Sequence, residues 1–170
     1  MVRQVNPAVR LARHLSLRRA SVRRFFDDAA LGRIADHIRT GELRHSAELR
    51  FVIEPSLSAA EIRASLPTRE RALQVFSDLR IWDTEHNNGV MLYLLLADHA
   101  VEIVVDRAAA RAIGDDAWQQ VCAELTGRYR AGDWLPGTLQ ALDRIHALLA
   151  QAFPPRSGDT NELPDRPVVL

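Results

Sequence analysis

Eight consecutive residues, Trp82-Asp-Thr-Glu-His-Asn-Asn-Gly89, gather carboxylates, an imidazole and amides in one polar stretch. Asp83, Glu85 and Asn88 offer oxygen donors there, and Asp106, just before Arg107, offers another from a separate position. Calcium or magnesium takes six or more oxygen ligands, so donors converging from separate loops point to a hard divalent cation. His45 and Glu48 are further candidate ligands. Glu42 and His45, spaced i, i+3, form a second pair that a metal would accept, expected exposed near a helix end. A carboxylate beside an imidazole also suits acid–base catalysis, with His86 as the candidate group. The competing reading is local, with Asp83, Thr84 and Asn88 capping and turning the loop ahead of Gly89. No Gly-rich phosphate loop, G-x-S-x-G elbow, C-x-x-C pair or H-E-x-x-H occurs, so no motif names a nucleophile. Cys122 falls in an apolar stripe and reads as a packed thiol. His146 reads as packed or solvated, and His14 and His37 as surface residues; Trp82, Trp118 and Trp134 read as core anchors.

Whether these side chains meet depends on the elements that carry them. Leu49, Phe51 and Ile53 alternate with polar neighbours, which predicts a strand with one buried face, stopped by Pro55. Val90–Leu96 is apolar without alternation, the signature of a strand covered on both faces. Ala97-Asp-His-Ala100 is short enough for a hairpin loop that returns the chain through Val101–Val105. Helices are predicted over 5–26, 27–41 and 58–80 (interrupted at Pro67), then through Trp118–Tyr129 and from Asp133 to Phe153. The crossover makes the first two strands parallel, and the hairpin makes the third antiparallel. The class is therefore α/β, a three-layer α/β/α sandwich on a mixed sheet. This topology brings His45, Glu48, Asp83, Glu85, His86, Asn88, Asp106 and Arg107 to one end of the sheet. The general rule for open sheets favours the opposite end, Glu54 to Ser58 and Asp98.

The chain has 170 residues, 47% hydrophobic and 26% charged, with 22 basic against 22 acidic residues. Disordered and fibrous classes are excluded by that apolar share. One cysteine allows no internal disulfide and no zinc cluster. The absence of a long apolar run or secretory leader predicts neither a signal peptide nor a transmembrane helix, and so a cytoplasmic location. Every basic residue is arginine, and seven of them fall in residues 1–26, which contain no acid. That segment is expected to be a basic amphipathic helix that packs its stripe or lies on an anionic membrane surface; nucleic acid is disfavoured, since no aromatic residues interleave the arginines. Residues 27–153 form the predicted domain. Residues 154–170, with four of the eight prolines, are expected to be an unordered tail.

The succession Gly41-Glu-Leu-Arg-His-Ser-Ala-Glu48 through Glu54, Arg71-Ala72 with Val75-Phe76, Trp82 to Val90, and Tyr129-Arg-Ala-Gly-Asp-Trp134 with Gly137 resembles the TPM-domain family. Members include thylakoid-lumen proteins of photosystem II repair and bacterial envelope proteins. The resemblance spans about residues 28–153 and implies a Rossmann-like sandwich, divalent-metal binding in some members and acid phosphatase activity in plant ones. Glu48, Asn88, Gly89, Asp115 and Gly132 match the family pattern, whereas Asp106-Arg-Ala-Ala-Ala110 replaces a Gly-Tyr-Gly-like turn. The functional expectation is a non-enzymatic interaction module that binds calcium or magnesium and an unidentified protein partner, acting at the inner membrane face. The alternatives are a metal-dependent acid phosphatase, using Asp83, Asp106 and His86, and a peripheral membrane adaptor acting through residues 1–26.

Overall fold

In the computed structural model, which describes residues 7–158 and 160–170, four strands form one mixed sheet with helices on both faces. Strand β1 is Leu49–Glu54, β2 is Val90–Leu95, β3 is Ala100–Val105 and β4 is Val168–Val169, in the order β3-β2-β1-β4. β1 and β2 run parallel with Leu49 opposite Val90; β2 and β3 run antiparallel with Val90 opposite Val105. The expected three-layer class and both strand directions hold.

The uninterrupted apolar run of β2 serves two cores because successive side chains leave opposite faces. Val90, Leu92 and Leu94 pack with Phe51, Ile53 and Ile103 under helices α2 (Asp28–Glu42), α6 (Asp115–Arg130) and α7 (Trp134–Ala152). Met91, Tyr93 and Leu95 face the other way, against Val75 and Phe76 of α4 (Thr68–Asp78), which follows the short α3 (Ala59–Arg63). Helix α5 (Arg107–Ala112), which the sequence reading did not anticipate, starts where Asp106 caps the Arg107 N–H. No helix among the described residues is long and apolar enough to cross a membrane.

Three expectations are corrected. The single helix predicted over 5–26 is instead α1 (Pro7–Ser16) followed by a 3-10 helix at Arg19–Arg24; positions 5 and 6 lie outside the described residues. Arg10 and His14 dock α1, whereas Val22 and Phe26 are buried core residues. At about 100° per residue those two pairs point about 120° apart, and the break at residues 17–18 lets each segment turn its own side inward. His14 is accordingly buried, not a surface residue: its Nδ1 accepts the Leu57 N–H at 2.9 Å, and its Nε2 meets Asp98 Oδ1 at 3.1 Å. Finally, the end of the proline-rich tail is ordered. Val168–Val169 adds β4 to the free edge of β1, and the Leu170 N–H donates to the Ile53 carbonyl. Of the tryptophans, Trp118 is buried, but Trp82 is exposed.

Candidate functional site

The pairing register delivers the polar residues to the end of the sheet that the topology predicts. The Val90 N–H donates to the Glu48 carbonyl at 2.8 Å, and the Asp106 N–H to the Gly89 carbonyl at 2.9 Å. Gly89 is required by close approach, because a Cβ there would lie 2.0 Å from the Ile81 carbonyl oxygen.

Most side chains of the 83–88 loop hold structure locally. Asn88 is buried; its Nδ2 donates to the Ser46 carbonyl and its N–H to Thr84 Oγ1. Asp106 Oδ1 caps α5, while its buried Oδ2 faces no donor. Arg107 reaches Asn87, the Glu85 N–H donates to the Glu162 carboxylate, Asp83 is exposed and His86 is half-buried. Among the described residues, no group of three or more His, Cys, Asp and Glu side chains is arranged as a ready-made metal cage. Asp83, Glu85, Asn88 and Asp106 thus share an end of the sheet without closing on a common point.

A concave feature at this end lies on the β1 side. A cleft of about 460 Å³ opens between the C-terminal turn of α2, the approach to β1 and the returning tail; Glu42, His45, Glu48, Asn161 and Asp165 line it, with Arg39 and Arg156. Glu42 comes from the last turn of α2, and its Oε1 accepts the Leu49 N–H at 2.8 Å. Glu48, 4% exposed, precedes β1 and accepts the Leu163 N–H at 3.0 Å. Asn161 donates to Asp165. The expectation that Glu42 and His45 are two exposed residues fails, because His45 is buried at 2% exposure and Glu42 is half-buried.

Burial pushes the Glu42 carboxyl up to about 9; the Leu49 N–H opposes this, while the Glu48 and Asp165 charges and a hydrogen bond with Asp165 add to it. Glu42 is therefore protonated at neutral pH. Its Oε2, buried with no donor facing it, is the oxygen left to carry that proton toward Asp165. The folded chain thus keeps a proton that the unfolded chain releases above about 4.5, so the stability Glu42 contributes falls as pH rises from about 4.5 through 9. Glu42→Gln, neutral throughout, is expected to flatten this limb by at least about 2–4 °C of melting temperature. Parallel wild-type and variant pH profiles would contradict the assignment.

Behind the cleft, His45 Nε2 meets His146 Nδ1 at 2.8 Å with the rings stacked. The Ala47 N–H can only donate, so His45 Nδ1 accepts it and the neutral ring carries its hydrogen on Nε2, aimed at His146. His146 then bears its own hydrogen on Nε2, a buried atom with no acceptor. Burial, reinforced by His45, Arg44 and His37, drives His146 down to about 3 and keeps it neutral. Elsewhere, burial raises the Cys122 thiol to about 11, in line with a packed thiol.

Sequence reasoning named His45 and Glu48 but not the whole cleft. Glu42 was seen only as half of an exposed pair, and Asp165 was assigned to an unordered tail. The available signal was the acid spacing at 42 and 48 around a strand start; nothing local to residues 161–165 reveals where they dock.

Residues 22–148 match the family model of the TPM domain. No curated protein matches. Among solved structures, the chain is similar to the BA42 protein of the psychrophilic bacterium Bizionia argentinensis, determined by NMR, at 25% identity and a TM-score of 0.76. That alignment covers 86% of this chain and 96% of the other.

Proposed function

The chain belongs to the TPM-domain family, and on that premise we propose that it is a non-enzymatic interaction module whose carboxyl cleft takes a divalent cation. One observation carries this reading. Glu42, half-buried and held protonated, shares a cleft with Glu48 and Asp165 and a hydrogen bond with the Asp165 carboxyl. The three carboxyls do not stand as a preformed cage, so a hard cation entering the cleft would replace the shared proton and draw the oxygen donors and water around itself. Calcium and magnesium are the matching ions.

The donors belong to different parts of the chain. Glu42 and Glu48 flank the α2–β1 connection, and Asp165 lies in the returning tail three residues before β4. An ion bridging them fastens the tail to the sheet and fixes the surface offered to a protein partner. Binding is favoured over proton transfer by His45, whose two ring nitrogens are already engaged by Ala47 and His146. The acid phosphatase alternative has less support, since Asp106 caps α5 and Asp83 stands in solvent.

The test is thermal unfolding with and without millimolar calcium or magnesium. An ion at a hundred times its dissociation constant adds about 2.7 kcal/mol to stability. Asp165→Asn is expected to lose most of that increment while leaving the metal-free midpoint near wild type. A wild-type midpoint indifferent to both ions and to chelator would overturn the proposal.

A further inference from the structure

Helix α1 is amphipathic, yet its polar side is the docked one. Arg10 donates to Asp98 Oδ2 from Nη2 at 2.8 Å and from Nε at 3.1 Å. His14 is buried beside it, its Nδ1 occupied by the Leu57 N–H, so its Nε2–H donates to Asp98 Oδ1. Burial of Asp98 opposes its ionisation, but Arg10 and His14 outweigh that and hold the carboxyl below its ordinary value. The clamp locks the rotation of the helix about its own axis.

That rotation turns the apolar stripe outward. Val9 is 47% exposed and Leu15 61% exposed, with exposed Ala12 between them. At helical spacing these three side chains fall within an arc of about 120°. A surface helix ordinarily buries such a stripe against the core. Arg13 is exposed beside it, and Arg18, Arg19, Arg23 and Arg24 are exposed in the segment that follows. Arg19 and Arg166, with Arg23 paired to Asp28 at 3.3 Å, also rim a groove of about 520 Å³ lined by Val22, Phe26 and Leu31. In sequence, Val5 precedes the stripe four residues before Val9, and no acidic residue occurs before Asp27.

We infer that α1 is a docking face for an anionic lipid surface, with Val9, Ala12 and Leu15 entering the acyl boundary and Arg13, Arg18 and Arg19 lying among the headgroups. Charge decides the occupant. An apolar stripe with Arg13 beside it and the arginines of the next segment following matches an interface that is apolar at depth and negative above. A nucleic acid would leave the stripe in water and finds no aromatic platform between the arginines. This surface is independent of the carboxyl cleft, so either assignment can fail without the other.

The test is co-sedimentation of the full chain with vesicles of equal parts phosphatidylglycerol and phosphatidylcholine, against phosphatidylcholine alone. Binding is expected to the anionic vesicles only, weakening as salt is raised. Val9→Ser with Leu15→Ser should reduce that binding about tenfold. The double variant should melt close to the wild type, because neither side chain belongs to the buried core. Arg13→Gln and Arg18→Gln should each cost about fivefold. Failure of the wild type to pellet with anionic vesicles at low salt, equal binding to neutral vesicles, or undiminished binding by the double serine variant would each overturn the assignment.

Discussion

Arg71→Ala is expected to remove about 3 kcal/mol of stability, lowering the melting temperature by about 6–12 °C. Glu54 closes β1 at 6% exposure, and Arg71 of α4 clamps it with Nε 3.0 and 3.1 Å from its two oxygens and Nη2 2.9 Å from one. The Tyr93 hydroxyl donates to the same carboxylate. Burial and the Glu54 charge hold that phenol far above its ordinary range, so it remains a donor. Removing Arg71 leaves a buried carboxylate with one neutral donor, and such a charge costs far more than the pair itself contributes. Glu54→Gln combined with Arg71→Ala should therefore be less damaging than the two single effects added together. Denaturant unfolding checks both numbers, and an Arg71→Ala loss below about 1 kcal/mol would contradict the account.

Gly41→Ala should reverse the sign that helix propensity predicts. Alanine inside α2 gains about 1 kcal/mol over glycine from backbone entropy. A Cβ at this position, however, would lie 2.2 Å from His146 Nε2 and 2.3 and 2.4 Å from the two ring carbons beside it. The ring is fully buried and stacked on His45, so it cannot swing away without giving up its hydrogen bond. Overpacking of this kind costs about 1–3 kcal/mol beyond the propensity gain, and a net loss of about 2 kcal/mol is expected. His146→Ala in the same chain should relieve part of it, measured as a non-additive double-mutant cycle. A Gly41→Ala protein as stable as wild type would show that the two helices are not in contact here.

The sheet was legible because its signals are local. The alternation of Leu49, Phe51 and Ile53, the unbroken run from Val90 and the short return through Asp98 fix three strands and their directions without long-range information. The end where the polar residues gather follows from those directions. Which of them form a cleft does not, because it depends on the tail. Leu163 donating to Glu48, Asp165 meeting Glu42 and β4 joining β1 are contacts across more than a hundred positions, and the proline-rich composition of residues 154–170 conceals them. The rotation of α1 was hidden for a related reason. Periodicity reports that a helix has an apolar stripe, but Asp98, far along the chain, decides which way that stripe points. The C-terminal end of the parallel strands, where open sheets commonly bind ligands, is instead filled by the Glu54–Arg71 and Asp98–Arg10 clamps.

Proton release on ion binding tests the cation reading most directly. A divalent ion entering the cleft near neutral pH must displace the proton that Glu42 holds, and that proton appears in solution. Titration of the weakly buffered chain with calcium or magnesium is predicted to release about one proton per ion bound in the wild type and almost none in Glu42→Gln. Ion uptake without proton release, or the same release from the Glu42→Gln chain, would contradict it.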